Sequence, residues 1–250
     1  MQHTMTAIGD GVIRVDFAGE VSPQMNQQIQ RYCRLIQGKA IYGVTELVPG
    51  YHTITLYYEP FEVRYNELIT KLEKLLASSI GENIQEKGRL LQIPVCYGGE
   101  QGPDLHKVAE RHQMKEEEVV RLHQEPTYLV YLLGFLPGFP YLGGLSPELA
   151  TPRLQEPRAN TPAGSVGIAD AQTGIYPFTS PGGWNIIGNT PIPLFDAEKK
   201  EHAFLFRPGD RVTFYEISEA EYNQLTLKDM QSDLLWEEVI SIEKENRSEL

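Results

Sequence analysis

VIRVDF (12–17) alternates apolar and polar residues, placing Ile13, Val15 and Phe17 on one face with the two-residue period of a half-buried strand. Ser22-Pro23 follows, reading as an N-cap and a proline in the first helical turn. Met25, Ile29, Tyr32, Cys33 and Ile36 then recur at helical spacing until Gly38 ends the run. GVTELV and YHTITLYY flank the turn dipeptide Pro49-Gly50 and predict a hairpin. Tyr65, Leu68, Ile69, Leu72, Leu75, Leu76 and Ile80 predict a second amphipathic helix ending near Gly81, and LLQIPV (90–95) another strand. The order β-α-β-β-α-β is that of a ferredoxin-like unit, assigned to residues 1–88.

Beyond it the texture changes. DLHKVAERHQMKEEEVVRLH (104–123) predicts two short helices, the first capped by Asp104, with Leu105, Val108, Ala109, Val119, Val120 and Leu122 facing inward. The spacing mimics a DNA-binding helix-turn-helix, but the second helix would meet phosphates with Glu116, Glu117 and Glu118. A helical insert packed on a sheet fits better. TYLVYLLGF, GSVGIA, WNIIGN, AFLFRPG and RVTFYEI are strand-like runs separated by Gly/Pro turns, so residues 89–218 read as a β-rich sandwich or barrel. The fold class is α+β, with residues 219–250 an acidic extension.

Charge sharpens this picture. Of the formal −12, a balance of −7 lies from Glu216 onward, where ten acids face three bases. Residues 241–250 have little apolar content and are expected to stay solvated. The acidity argues against a broad phosphate-binding surface and hence against nucleic acid as a partner. No apolar run is long enough for a membrane span, and MQHTMTAIGDG lacks the features of a signal peptide, so a cytoplasmic location is expected. Cys33 and Cys96 read as small buried hydrophobes in a reducing compartment, and the six histidines show no metal-ligand spacing.

The chemistry-bearing stretches lie in the second half. YLLGFLPGFPYLGGL (131–145) bends its backbone with glycines and two prolines while carrying four aromatic rings. Beside it stand TPRLQEPR, TPAGSVGIAD, TGIYPFTSPGGW and IGNTPIPLFD. Glycines let a backbone approach a ligand, and prolines reduce the entropy lost in fixing a loop. No Walker, GxGxxG, GxSxG or HExxH motif occurs. Phe135, Pro137, Phe139, Tyr141, Tyr176 and Trp184 are candidates for the wall of a concave site or for a docking surface for a partner. Arg153 and Arg158, set between prolines, are candidate carboxylate or phosphate forks. Gly164, Ser165, Ser180, Gly182 and Gly183 are candidate backbone or hydroxyl donors. Ser165 is also a candidate nucleophile and His123 a candidate proton carrier.

IPVCYGGEQGPDL, His123, GFLPGFPYLGGL, PRLQEPR, PAGSVGIA and QTGIYPFTSPGGWNIIGNTP, in this order between residues 93 and 193, resemble the KipI family, the first-subunit type of allophanate hydrolase homologues. Asn160-Thr161 and Asn189 depart from the family's more basic pattern. The resemblance implies a small α/β domain followed by a cyclophilin-like barrel. It implies one component of an ATP-dependent 5-oxoprolinase that opens 5-oxoproline to glutamate. ATP would act at the level of the complex. The implied partners are the second cyclophilin-like chain of that 5-oxoprolinase and its third, barrel-type chain. Other members resemble an inhibitor of a sporulation sensor histidine kinase, which would make the chain a binding module instead. A urea amidolyase role would need an attached biotin carboxylase, for which 250 residues leave no room.

Overall fold

A computed structural model describes residues 2–78, 88–227, 236, 239 and 240, and divides the chain into two units, 1–87 and 88–250. In the first unit β1 (His3–Ala7), β2 (Val12–Phe17), β3 (Val44–Pro49) and β4 (Thr53–Tyr58) form an antiparallel sheet in the order β1-β2-β4-β3. Helices α1 (Pro23–Gly38) and α2 (Tyr65–Ser78) supply the rest of its core. The Ser22 hydroxyl accepts the Met25 N–H at 3.2 Å, so the cap forms as its sequence specifies. Ile13, Val15 and Phe17 are buried together with Met25, Ile29, Tyr32, Cys33, Ile36, Leu68, Leu72 and Leu76.

The ferredoxin-like order is corrected in one respect: the elements run β-β-α-β-β-α. The edge beside β2, which that unit would give to its last strand, is taken by β1. HTMTA offers only Met5 as an apolar residue packed on the core, too weak an alternation to read as a strand. The strand expected to complete the unit, β5 (Leu90–Tyr97), belongs to the second unit. Its near-continuous burial suits a strand covered on both faces.

There β5 pairs parallel with β13 (Arg211–Glu216) and antiparallel with β12 (Asn185–Asn189). With β6 (Tyr128–Leu133), β7 (Pro140–Gly143), β9 (Ser165–Ala169) and β10 (Gln172–Ile175) they close a seven-stranded barrel, β10-β7-β6-β13-β5-β12-β9. Closure leaves no free edge. A two-stranded ribbon, β8 (Arg158–Thr161) with β11 (Ser180–Gly182), forms a separate small sheet. AFLFRPG is not a strand; only Phe204 makes a bridge, to Phe195.

Helices α3 (Leu105–His112) and α4 (Glu116–Gln124) pack on the barrel through the predicted inward residues. Asp104 precedes α3, but its carboxylate does not cap it. Helix α5 (Glu219–Leu227) buries no residue, though the Tyr222 hydroxyl ties it to Asn189 Oδ1 at 2.9 Å. Farther on, Trp236 packs on the barrel core and its indole donates to the Pro193 carbonyl at 2.7 Å. The segment 241–250, expected to be solvated, lies outside the described residues. Both cysteines are free and buried, and burial pushes the Cys33 thiol up to about 12. Among the described residues no helix is long and apolar enough to cross a membrane.

Candidate functional site

The turn between β6 and β7 has two residues of positive φ, Phe135 at +67° and Gly138 at +84°. The Leu136 N–H bonds the Gly134 carbonyl at 2.8 Å, closing a three-residue γ-turn around Phe135. Gly134 N–H to Phe139 O (3.1 Å) and Phe139 N–H to Leu136 O (3.0 Å) brace its base. Phe139 is thereby driven inward into a cluster of rings. Its centroid lies 5.3 Å from Tyr176 at 87°, 5.3 Å from Trp184 at 84° and 5.0 Å from Tyr141 at 58°. Near-perpendicular packing sets ring edges against ring faces, the favoured sense of the aromatic quadrupole.

These rings form one side of a cleft of about 190 Å³, lined by Phe135, Phe139, Tyr141, Tyr176 and Trp184, with Arg153, Pro157, Pro181, Gly182 and Gly183 completing the wall. A Cβ on Gly182 would stand 2.5 Å from Tyr176 Oη and 2.7 Å from Thr161 Oγ1, so no other residue fits there unshifted. The Leu154 N–H bonds the Gly183 carbonyl at 2.7 Å and fixes the Arg153 loop against the glycine turn. Burial raises the Tyr176 phenol above its ordinary value, against the opposing pull of a Trp184 backbone hydrogen bond and of Arg153 and Arg158. It stays neutral.

The two guanidinium groups behave differently. Arg153 is 59% exposed at the rim and pairs with the exposed Asp170, at 3.5 Å. Arg158 does not line the cleft: one nitrogen holds the fully buried Asp104 carboxylate at 2.5 Å and another the Trp184 carbonyl at 3.3 Å. Asp104 also accepts the Ile186 N–H at 2.8 Å. This acid, expected to cap α3, instead locks Arg158 and β12 together. An acid just before a helix reads first as a cap, so its real partner was not legible locally.

His123 is corrected more sharply. It is fully buried between α4 and the barrel strands, its ring stacked 4.6 Å from Phe214. Nδ1 lies 2.8 Å from the Tyr97 hydroxyl and Nε2 2.9 Å from Thr173 Oγ1. The Thr173 hydroxyl donates to the Gly167 carbonyl at 3.0 Å, so Nε2 is the protonated nitrogen and Nδ1 accepts from Tyr97. Burial lowers its pKa to about 3. This neutral ring lies outside the cleft and ties α4 to β5 and β10 through its two nitrogens.

A nucleophilic Ser165 would need a base within hydrogen-bond reach, and the two ring nitrogens of His123 face Tyr97 and Thr173 instead. Ser165 is buried, its carbonyl accepting the Tyr176 N–H at 2.9 Å. Gly164 N–H donates to the Tyr176 carbonyl at 2.7 Å, and Ser165 N–H to Pro162 O at 3.3 Å, so these donors serve the backbone. Ser180 pairs with Thr161 next to the cleft, and Pro137 is exposed on the Phe135 turn. Pro157 and Pro181 line the wall although only their motifs were singled out. Among the described residues no group of three or more His, Cys, Asp and Glu side chains is placed to hold a metal.

A closed barrel carrying a ring-lined cleft, in one chain with a small α/β unit, defines the class: the chain belongs to the family of the carboxyltransferase domain, subdomain C and D, which matches residues 3–205. More particularly, it is 39% identical over 233 residues to a 5-oxoprolinase subunit of Bacillus subtilis, covering 89% of this chain and 96% of that one. The corresponding 5-oxoprolinase subunit of Haemophilus influenzae is 42% identical over 207 residues, 83% of this chain and 94% of its own. Among solved structures, the crystal structure of TTHA0988 superposes with a TM-score of 0.72 at 39% identity over 83% of this chain. The match spans only 40% of the TTHA0988 chain, which is therefore much longer.

Proposed function

We propose that this chain is a component of an ATP-dependent 5-oxoprolinase assembly, and that its cleft holds the ring of 5-oxoproline. The relatives named as 5-oxoprolinase subunits match most of the chain and nearly the whole of their own length, and that likeness carries the assignment. The cleft supports it chemically. A five-membered lactam has two weakly polar faces, suited to the ring edges and faces of Phe139, Tyr141, Tyr176 and Trp184. It carries one carboxylate, suited to the exposed fork of Arg153.

ATP does not fit the same place. Clefts for drug-sized ligands run to about 300–1,000 Å³, this one is about 190 Å³, and the sequence contains no Walker-type phosphate loop. The nucleotide is therefore expected outside this cleft, elsewhere in the assembly, where the amide carbonyl is made a better electrophile, and the role of this cleft is to bind and orient the ring. The isolated chain is expected to be inactive, and omitting it from the reconstituted assembly to abolish glutamate release from 5-oxoproline. Arg153→Ala is expected to raise KM about tenfold to a hundredfold with a smaller change in kcat, the loss of one charge-assisted contact. Full activity without this chain would end the proposal.

A further inference from the structure

Phe135 is the least economical residue of the site. Bulky side chains avoid positive φ, yet Phe135 adopts +67° at the centre of its γ-turn. Burial does not repay this, because the side chain is 62% exposed while Phe139, Tyr176 and Trp184 are buried. A glycine would take the same backbone without strain. The ring's place relative to the cleft is what the turn secures: it stands edge-on to Phe139 (5.6 Å, 88°) and to Tyr176 (6.3 Å, 89°) and lines the cleft.

From this we infer that Phe135 is the specificity-determining residue of the cleft: its ring is the outer wall that limits the ligand to a compact five-membered cyclic amide acid. The inner walls are buried rings packed on one another and on Ala169 and Ile186, with little room to yield. The outer wall is one exposed side chain on a turn. Ligand size is therefore decided where the ring stands, and the backbone bonds of Gly134, Leu136 and Phe139 keep it there. The inference rests on the reading that 5-oxoproline occupies this cleft.

The test compares assemblies reconstituted with wild-type, Phe135→Ala and Phe135→Gly chains, using 5-oxoproline and its six-membered homologue, 6-oxopiperidine-2-carboxylate. Wild type is expected to favour the smaller ring strongly. Phe135→Ala is expected to lower the ratio of the two kcat/KM values about tenfold, mainly by relaxing rejection of the larger ring. Phe135→Gly is expected to show the same ratio as Phe135→Ala and to melt higher, because it removes the β-carbon that strains the turn. An unchanged ratio in a folded Phe135→Ala assembly that turns over 5-oxoproline overturns this inference alone. A wild-type assembly without activity on 5-oxoproline overturns both it and the reading beneath it.

Discussion

At the scale of single residues, chemical type proved a weaker guide than burial. His123 is the instructive case, because a histidine beside aromatic motifs reads as a proton carrier. Its ring is buried and neutral instead, with its pKa lowered to about 3. An unfolded histidine titrates near 6.5, so between about pH 6.5 and 3 the unfolded chain takes up a proton that the folded one refuses. Stability contributed by this residue is thus fully present above about pH 6.5 and falls by about 1.4 kcal/mol per unit as the pH drops through that window. Urea unfolding at several pH values checks this, and His123→Gln is expected to flatten the slope while lowering stability at neutral pH. Gly182 makes the complementary point. Gly182→Ala drives a methyl against the Tyr176 hydroxyl and is expected to cost about 1–3 kcal/mol while narrowing the cleft. Thermal melting and KM should both register it. That Phe139, Tyr141, Tyr176 and Trp184 gather around one cleft was legible because so many rings among glycines and prolines have few other uses.

At the scale of elements, periodicity located most helices and strands correctly, and long-range ion pairs decided how they join. Asp210 is nearly inaccessible and accepts from Arg89 through two nitrogens, at 2.5 and 3.1 Å, and from the Arg207 N–H at 2.7 Å. It fastens the lead into β5 to the turn before β13, the one parallel pair of the barrel. Asp210→Ala strands a partly buried guanidinium and is expected to destabilise the barrel by about 3–5 kcal/mol, seen as a lower urea midpoint at unchanged slope. None of this was visible locally, since Arg89 and Asp210 are 121 residues apart. The same limit hid the bond from Asp104 to Arg158. It also hid β1, whose side chains carry almost no alternation and which becomes a strand because β2 offers it an edge.

At the scale of the whole molecule, the two units have separate cores, and every residue lining the cleft lies in the second. Under the proposed reading, a chain trimmed to residues 88–250 is expected to bind 5-oxoproline as the full chain does, as calorimetry would show; loss of binding on trimming alone would place part of the site elsewhere. The sequence by itself determined the α+β class, the amphipathic faces of α1 to α4, the change of texture in the second half and the rings that gather there. Those features follow from short-range periodicity and backbone stereochemistry, which a linear chain displays openly. Only the tertiary structure decided that β5 completes a barrel, that Arg153 stays exposed at the rim while Arg158 is tied down, and that His123 is interior. Each of these depends on which distant group arrives within hydrogen-bonding distance, a matter of closure of the sheet that no local pattern encodes.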